Sequence, residues 1–206
     1  MTPLRLGLVA LLTVLVLGGG WLAWHLARPP ITITAATTSG TPDVGGPFEL
    51  VDQTGARRSD AEFRGRYMLI YFGYTYCPDI CPTTLLTMSR ALELLRERAP
   101  QAADQVVPVF ITVDPERDTV EAMAAYAPSF HPDLVALTGT AEDIAAAAKA
   151  YRVYYAKVED EASGTYLMDH SSFIFLMGPD GEYVTHFDHL APPEDIAAGL
   201  ERRIGG

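Results

Sequence analysis

The chain has 206 residues, 49% of them apolar, which suffices for one domain of ordinary size with an extension. Its formal net charge is −11 at pH 7. Residues 1–42 contain two of the 15 basic residues and no acidic one, so the remainder carries 13 basic and 26 acidic residues. Because phosphate binding needs clusters of Lys and Arg, this composition argues against a nucleic-acid-binding protein and favours a cation or a basic protein surface as partner.

The N-terminal segment is long and apolar. From Leu6 to Leu26 there are 21 residues without Asp, Glu, Lys or Arg. At about 1.5 Å rise per residue, a helix of that length spans roughly 31 Å, about one hydrocarbon core. Trp21 and Trp24 lie near its end, where an interfacial aromatic belt occurs. Since a cleaved signal peptide has a shorter apolar region that ends in small residues, we predict an uncleaved membrane anchor, one transmembrane helix, at residues 1–27.

The charges beside this anchor predict its orientation. Arg5 and the amino terminus precede the apolar stretch and Arg28 alone follows it, so the positive-inside rule places the following domain in the periplasm of a bacterium. No Arg-rich, Ser-rich transit peptide precedes the anchor, which argues against a mitochondrial precursor. Residues 28–46 are dominated by Pro, Gly, Ser and Thr and are predicted to be a linker, which leaves residues 47–206 as the domain.

The domain alternates between two patterns. Short apolar runs predict buried strands, and apolar residues recurring every three or four positions predict helices. In chain order the prediction is a strand at 67–74, a helix at 83–99, a strand at 106–113, a short helix at 119–130, a strand at 133–139, a helix at 141–153, a hairpin at 171–187 and a helix at 192–204. This order predicts an α/β fold with a mixed central sheet, parallel at its centre and antiparallel at one edge.

Both cysteines of the chain lie between the first buried strand and the first long helix, in GYTYCPDICPTTL. This placement narrows the fold to a thioredoxin-like arrangement. A helix N-terminus stabilises a thiolate, so Cys77 and Cys81 are expected to be reactive, and Pro82 suits a first helical position. Residues four apart on a helix lie close enough for a disulfide or for shared metal ligation. The spacing therefore leaves a structural disulfide, a redox pair and a metal site as alternatives.

A metal site would need a further ligand, and the chain has five histidines. His25 belongs to the predicted anchor, and His131 precedes a proline in a predicted surface turn. His186 and His189, in HFDH at the end of the hairpin, could bind metal by themselves. His170 opens the predicted strand SSFIFLM, whose entry lies beside the cysteine loop in a thioredoxin-like sheet. Two cysteines and this histidine would make a three-ligand site with an open edge, which suits copper.

Three sequence blocks together resemble the Sco/SenC family of copper chaperones. They are YTYCPDICPTTL, VDPERDT (Val113–Thr119) and MDHSSFIFLMGPDG (Met168–Gly181), and they occur in the family's order. The resemblance implies a thioredoxin-like fold, a membrane tether and a role in building the dinuclear copper site of cytochrome c oxidase. It also implies copper, as Cu(I), Cu(II) or both, as the bound ion. The implied partners are the copper-accepting subunit of that oxidase and other copper chaperones or thiol reductants.

The family's copper ligands correspond to Cys77, Cys81 and His170 of this chain. Asp114 matches the family's acidic position near the metal, although a carboxylate before a proline is as readily a turn residue. Asp169 is expected to accept a hydrogen bond from His170 and so to orient the ring.

Two further functions stay open beside copper delivery by ligand exchange. In the first, the cysteine pair acts as a thiol–disulfide reductant of the acceptor's cysteines or as a peroxidase-like thiol, which requires a thiolate of low pKa. In the second, the chain is a membrane-tethered docking domain that is stapled by a structural disulfide. The two active roles can coexist, because copper binding needs the cysteines reduced.

Overall fold

The computed structural model describes residues 17–19, 21, 24, 43–160 and 164–205. The chain divides into two units, Met1–Gly40 and Thr41–Gly206. In the first unit the five described residues, 17–19, 21 and 24, are helical and exposed, and the rest of the predicted anchor lies outside the described residues. Within the described part of the chain, no helix has the length and apolar character needed to cross a membrane.

Nine strands are present in the described part of the second unit. They are β1 (Glu49–Asp52), β2 (Arg57–Ser59), β3 (Tyr67–Gly73), β4 (Val106–Thr112), β5 (Val135–Thr138), β6 (Tyr155–Asp160), β7 (Thr165–His170), β8 (Phe173–Met177) and β9 (Tyr183–Asp188). Seven of them form one sheet in the order β2–β1–β5–β4–β3–β8–β9. Strands β3, β4 and β5 are parallel, whereas β1 and β8 pair antiparallel with their neighbours. The predicted mixed sheet is confirmed.

The sheet is covered by helices that follow its strands. They are α1 (Ile80–Arg98), α2 (Pro100–Ala103), α3 (Val120–Tyr126), α4 (Ala141–Ala150) and α5 (Pro193–Ile204), with short 3-10 turns at Asp60–Phe63 and Ala127–Ser129. Helix α1 buries Leu85, Met88, Leu92 and Leu95, the apolar stripe that the sequence predicts, and it packs beside α5. Strand β4 is buried along its whole length, so α1 and its cysteine Cys81 lie against a closed core.

Three features differ from the sequence-based expectation. Helix α1 begins at Ile80, so Cys81 lies in its first turn and Pro82 is its third residue, where its missing N–H is still not needed. The ribbon of β6 and β7 was not predicted, because its strands mix charged and apolar residues without a sustained period. As a consequence, His170 ends β7 and does not open β8, which starts at Phe173.

The end of the predicted linker contacts the domain. The Gly45 N–H donates to the carbonyl of Ala150 at 2.9 Å, and Asp43 pairs with Arg152 at 3.2 Å. Gly45 has a φ of +101°, a left-handed conformation that favours glycine, and a Cβ at this position would lie 2.4 Å from the Met177 Cε. Residues 43–46 therefore belong to the second unit and contact the rest of it.

Candidate metal centre

Three elements bring the predicted ligands together. Cys77 lies in the loop after β3, Cys81 in the first turn of α1 and His170 at the end of β7. The Cys81 Sγ lies 3.4 Å from the His170 Nε2, and the Cys81 N–H donates to the Cys77 Sγ at 3.4 Å. Both cysteines are free thiols, with Cys81 fully buried and Cys77 half-buried.

The ring of His170 is oriented by a backbone carbonyl. Its Nδ1 lies 3.0 Å from the carbonyl oxygen of Ser171. A carbonyl oxygen only accepts, so Nδ1 carries the proton and the lone pair of Nε2 faces Cys81. The sequence assigned this orienting contact to Asp169, but that side chain is exposed and the Ser171 carbonyl occupies Nδ1.

The two thiols have opposite protonation preferences. Interaction with the Cys81 side chain, opposed by burial and supported by the nearby His170 side chain, lowers the pKa of Cys77 from 9.0 to about 3. The hydrogen bond to Cys77, together with burial, raises the pKa of Cys81. At neutral pH the pair is therefore one thiolate, at the more accessible Cys77, and one buried thiol.

This asymmetry predicts an unusual pH profile for alkylation by iodoacetamide. A thiol of ordinary pKa reacts about tenfold faster for each pH unit between roughly pH 5 and 8, because only the thiolate is nucleophilic. We expect Cys77 to react at a rate that changes less than about twofold over that range, since its pKa lies below it. Peptide mass spectrometry would measure the rate. Cys81→Ala removes the hydrogen-bond donor and should restore the slope, whereas a tenfold slope in the unaltered protein would contradict the prediction.

The sulfur of Cys81 fits a closely packed niche. A Cβ on Gly73 would lie 2.9 Å from this sulfur and 3.0 Å from ring carbons of Phe110 and Tyr71, so only glycine leaves room at the end of β3. The Tyr71 hydroxyl lies 3.7 Å from the same sulfur. The ring of Tyr71 also meets His170 edge-on, with the ring centroids 6.2 Å apart. These contacts hold the Cys81 sulfur and the imidazole in fixed positions.

A buried carboxylate holds the start of the cysteine loop. The Asp118 Oδ2 accepts the Thr75 N–H at 3.0 Å and the Thr112 hydroxyl at 2.6 Å, and the Asp118 Oδ1 accepts the Thr75 hydroxyl. Burial raises the pKa of Asp118. Three donors on one buried carboxylate tie the loop before Cys77 to the end of β4.

The other predicted site residues have partners of their own. Asp114 is buried and accepts hydrogen bonds from Arg117 and from the Tyr166 hydroxyl. The His131 Nδ1 accepts the Asp133 N–H at 3.1 Å, as expected for a turn. His186 contacts Tyr183, and His189 lies 3.4 Å from Asp188. His25 is outside the described residues.

A cavity of about 540 Å³ is lined in part by Cys77 and His170. Apolar side chains, among them Tyr74, Ile80, Val158 and Leu167, form much of its wall. In the stretches 43–160 and 164–205, no three His, Cys, Asp or Glu side chains stand in a complete metal-binding group. The cavity gives a second molecule access to Cys77 and His170, whereas Cys81 is buried.

Comparison with models of known protein families assigns the chain to the same family that the three sequence blocks resemble. The model of the SCO1/SenC family matches residues 36–205, which is most of the chain. The chain belongs to the SCO1/SenC family. Its cysteine loop, the segment with Asp114 and the segment with His170 all lie within the matched residues.

Similar members of the SCO1/SenC family include a human protein and two proteins with solved structures. The human protein named SCO1 homolog, mitochondrial, is 42% identical over 161 residues, which cover 78% of this chain and 53% of the human protein. The structure of ScoI from Arabidopsis thaliana with copper bound is 40% identical, covers 79% of this chain and 98% of that one, and has a TM-score of 0.73. The structure of ScoI from Bradyrhizobium japonicum with copper bound is 45% identical, covers 77% and 98%, and has a TM-score of 0.69.

These matches show that the fold is the thioredoxin-like α/β fold of Sco proteins, with a mixed central sheet. The chain spans about half the length of the human relative.

Sequence reasoning missed several residues that surround this candidate site. Arg117 and Asp118 stand inside VDPERDT, and a signal existed, because charged residues in a short loop after a buried strand lie at the functional edge of a sheet. The contribution of Ser171 is a backbone carbonyl, for which the amino-acid type gives no signal. Gly73 could have been noticed as a glycine that ends an apolar strand close to a cysteine.

Proposed function

We propose that this chain is a copper chaperone that binds copper through Cys77, Cys81 and His170 and delivers it to the dinuclear copper site of cytochrome c oxidase. The observation that carries the proposal is the approach of the Cys81 Sγ to the His170 Nε2 at 3.4 Å, with the proton of the ring on its other nitrogen. Two relatives at 40% and 45% identity were solved with copper bound, which supports the choice of ion.

The spacing of these atoms suits a shared ion. With bonds of about 2.3 Å to sulfur and about 2.0 Å to nitrogen, ligand atoms 3.4 Å apart subtend roughly 100° at a metal. Thiolates and imidazole are ligands that copper prefers over harder donors. Cys77 has to turn its sulfur towards the same ion, since the three side chains do not form a complete group beforehand. Its thiolate is ready for this step, whereas Cys81 has to release a proton on binding.

A site with only three protein ligands can pass its copper ion to an acceptor. Three protein ligands leave a coordination position open on the side of the cavity. An acceptor thiolate or imidazole can enter there, form a bond to copper and let one of the donor ligands leave. No step in this exchange requires a free ion in solution.

The proposal includes the location of the protein. Residues 1–27 would anchor it in the inner membrane of a bacterium, residues 28–46 would connect the anchor to the domain, and the domain at residues 47–206 would lie in the periplasm. The apolar stretch from Leu6 to Leu26 and the excess of positive charge before it support this arrangement. Its partners would be the copper-accepting subunit of the oxidase, a copper donor and a thiol reductant that keeps the cysteines reduced.

Copper titration and transfer test this function. The reduced domain is expected to bind one equivalent of copper(I), and the loaded domain to lose it to the reduced copper-binding domain of the oxidase subunit when the two are mixed and separated. Copper content of each fraction would be measured by atomic absorption. A reduced domain that binds no copper, or that keeps it beside an empty acceptor, would refute the proposal.

A second candidate function has support in the protonation of the thiols. The pair of a thiolate at the half-buried Cys77 and a thiol at the buried Cys81 is suited to disulfide reduction. Cys77 would attack one sulfur of an acceptor disulfide and release the other as a thiolate. Cys81 would then give its proton to that thiolate, attack the Cys77 sulfur of the mixed disulfide and release the acceptor as a reduced dithiol. Reduction of an acceptor disulfide that survives His170→Ala would favour this role over copper delivery.

A further inference from the structure

Arg117 is the centre of a cluster of side chains behind the candidate site. Its Nε donates to Asp114 and its Nη1 donates to the carbonyl of Tyr166 at 2.9 Å. The guanidinium carbon lies 3.8 Å from the ring centroid of Tyr166, 4.6 Å from that of Tyr76 and 5.7 Å from that of Tyr74. Cation–π attraction operates at these distances, so one side chain holds groups from several elements.

The groups that Arg117 contacts belong to the parts of the chain that carry the ligands. Tyr74 and Tyr76 lie in the cysteine loop directly before Cys77, and Tyr166 lies in β7, which ends at His170. Arg117 itself stands in the loop between β4 and α3. The guanidinium therefore bridges the cysteine loop and the strand of the histidine.

The ribbon of β6 and β7 is a separate two-stranded sheet, and among the described residues neither of its strands pairs with the seven-stranded sheet. The chain at residues 171–172 connects His170 to β8 of the main sheet, but no ladder of backbone hydrogen bonds holds the body of the ribbon against it. The contacts of Tyr166 with Arg117 and with buried Asp114 fix the ribbon four residues before His170. The Tyr74 ring, edge-on to His170 at 5.9 Å, completes the connection.

We propose that Arg117 is a positioning residue, which holds the β7 ribbon against the cysteine loop so that His170 and the two cysteines can share one copper ion. This inference rests on the proposed function, since it takes His170 as a ligand. The Nη2 of Arg117 is buried without a hydrogen-bond partner among the described residues, and an unsatisfied buried donor reduces stability. The burial of Arg117 is therefore better explained by the alignment of β7 with the cysteine loop than by a contribution to the stability of the fold.

Lys157 offers a matched control on the same strand pair. Its ammonium also lies over the Tyr166 ring, at 4.6 Å, and pairs with Glu116 at 2.6 Å, but it is exposed and contacts no residue of the cysteine loop in the described structure. Removing its charge therefore tests whether any cation on Tyr166 matters or only the one that reaches both elements.

The test compares Arg117→Gln, Arg117→Lys and Lys157→Gln in the full chain. Hydrogen exchange of the copper-free protein is measured first, and we expect the amides of Tyr166–His170 to exchange about tenfold faster in Arg117→Gln and at the original rate in Lys157→Gln. Copper binding is measured next. Arg117→Gln should bind about 10- to 100-fold more weakly, with a shifted thiolate-to-copper(II) absorption band, and Arg117→Lys should recover part of both.

A double variant keeps the test valid if Arg117→Gln leaves the buried Asp114 carboxylate unpaired and thereby unfolds the domain. Asp114→Asn with Arg117→Gln removes both charges, and it should keep cooperative unfolding while showing the same faster exchange at β7. Unchanged exchange and an unchanged copper spectrum in the folded variants would overturn the positioning role. If the unaltered protein binds no copper, the proposed function fails instead, and that result is seen before any variant is compared.

Discussion

Replacing His170 with Ala is expected to weaken copper(II) binding by at least about 100-fold. Removal of a residue that only hydrogen-bonds to a metal ligand weakens binding by about 10- to 100-fold, and removal of the ligand itself is expected to cost more. The Nε2 of this ring faces the Cys81 sulfur at 3.4 Å, so its removal leaves two sulfurs and an open cavity to hold the ion. Copper(I) should be affected less, because two thiolates alone satisfy this softer ion. Competition with chelators of known affinity would measure both constants.

His131→Ala is the matched control for that experiment. This histidine is part of a turn in which its Nδ1 accepts the Asp133 N–H, and it shares no contact with the candidate ligands in the described residues. Its replacement should leave both copper constants unchanged. Equal affinities for the parent and His170→Ala would remove His170 from the ligand set and would leave the chelating role to the cysteine pair alone.

Replacing Cys81 with Ser is expected to weaken copper(I) binding by about 1,000-fold, which equals about 4 kcal/mol. A serine hydroxyl is a hard ligand that does not ionise at neutral pH, so copper(I) loses one of its two soft donors. The fold should survive, because serine is no larger than cysteine and the Tyr71 hydroxyl and the His170 Nε2 lie within reach of its oxygen. Chelator competition gives the affinity and circular dichroism reports the fold.

Cys77→Ser serves as the companion variant, since it removes the other sulfur at a half-buried position with little effect on packing. Both variants should lose copper(I) to a similar extent if the ion is shared. A Cys81→Ser protein that is folded and binds copper(I) as tightly as the parent would show that the cation lies elsewhere, with the HFDH segment at His186 and His189 as the next candidate.

Much of the fold could be predicted because its elements carry a clear period. Strands β3 and β4 are uninterrupted apolar runs, α1 repeats its apolar residues every three or four positions, and the hairpin of β8 and β9 has Gly178 to Gly181 at its turn. These local patterns predict the structure well because the apolar residues that form the period are the residues that become buried in the fold. Strands β1, β2, β6 and β7 were missed, since they are short, partly exposed and without a period.

The site itself was predicted unevenly. Cys77 and Cys81 were chosen because thiols four residues apart at a helix start can share an ion, and His170 was chosen from the predicted fold and the family resemblance. Their role as ligands stays a prediction. The sequence placed His170 at the start of β8, whereas the structure has it at the end of β7, on a ribbon outside the main sheet. Asp169 was chosen as its hydrogen-bond partner, but the Ser171 carbonyl accepts that bond.

The amino-acid sequence by itself determined the α/β class, the position of two cysteines at a helix start and membership of the SCO1/SenC family, because period, charge and residue type are local properties. Only the tertiary structure decided which nitrogen of His170 faces the sulfur, which cysteine carries the negative charge and how Arg117 joins the ribbon to the cysteine loop. These features depend on distances of a few ångströms between residues up to 89 positions apart in the chain. Such distances are set by packing, and no local pattern encodes them.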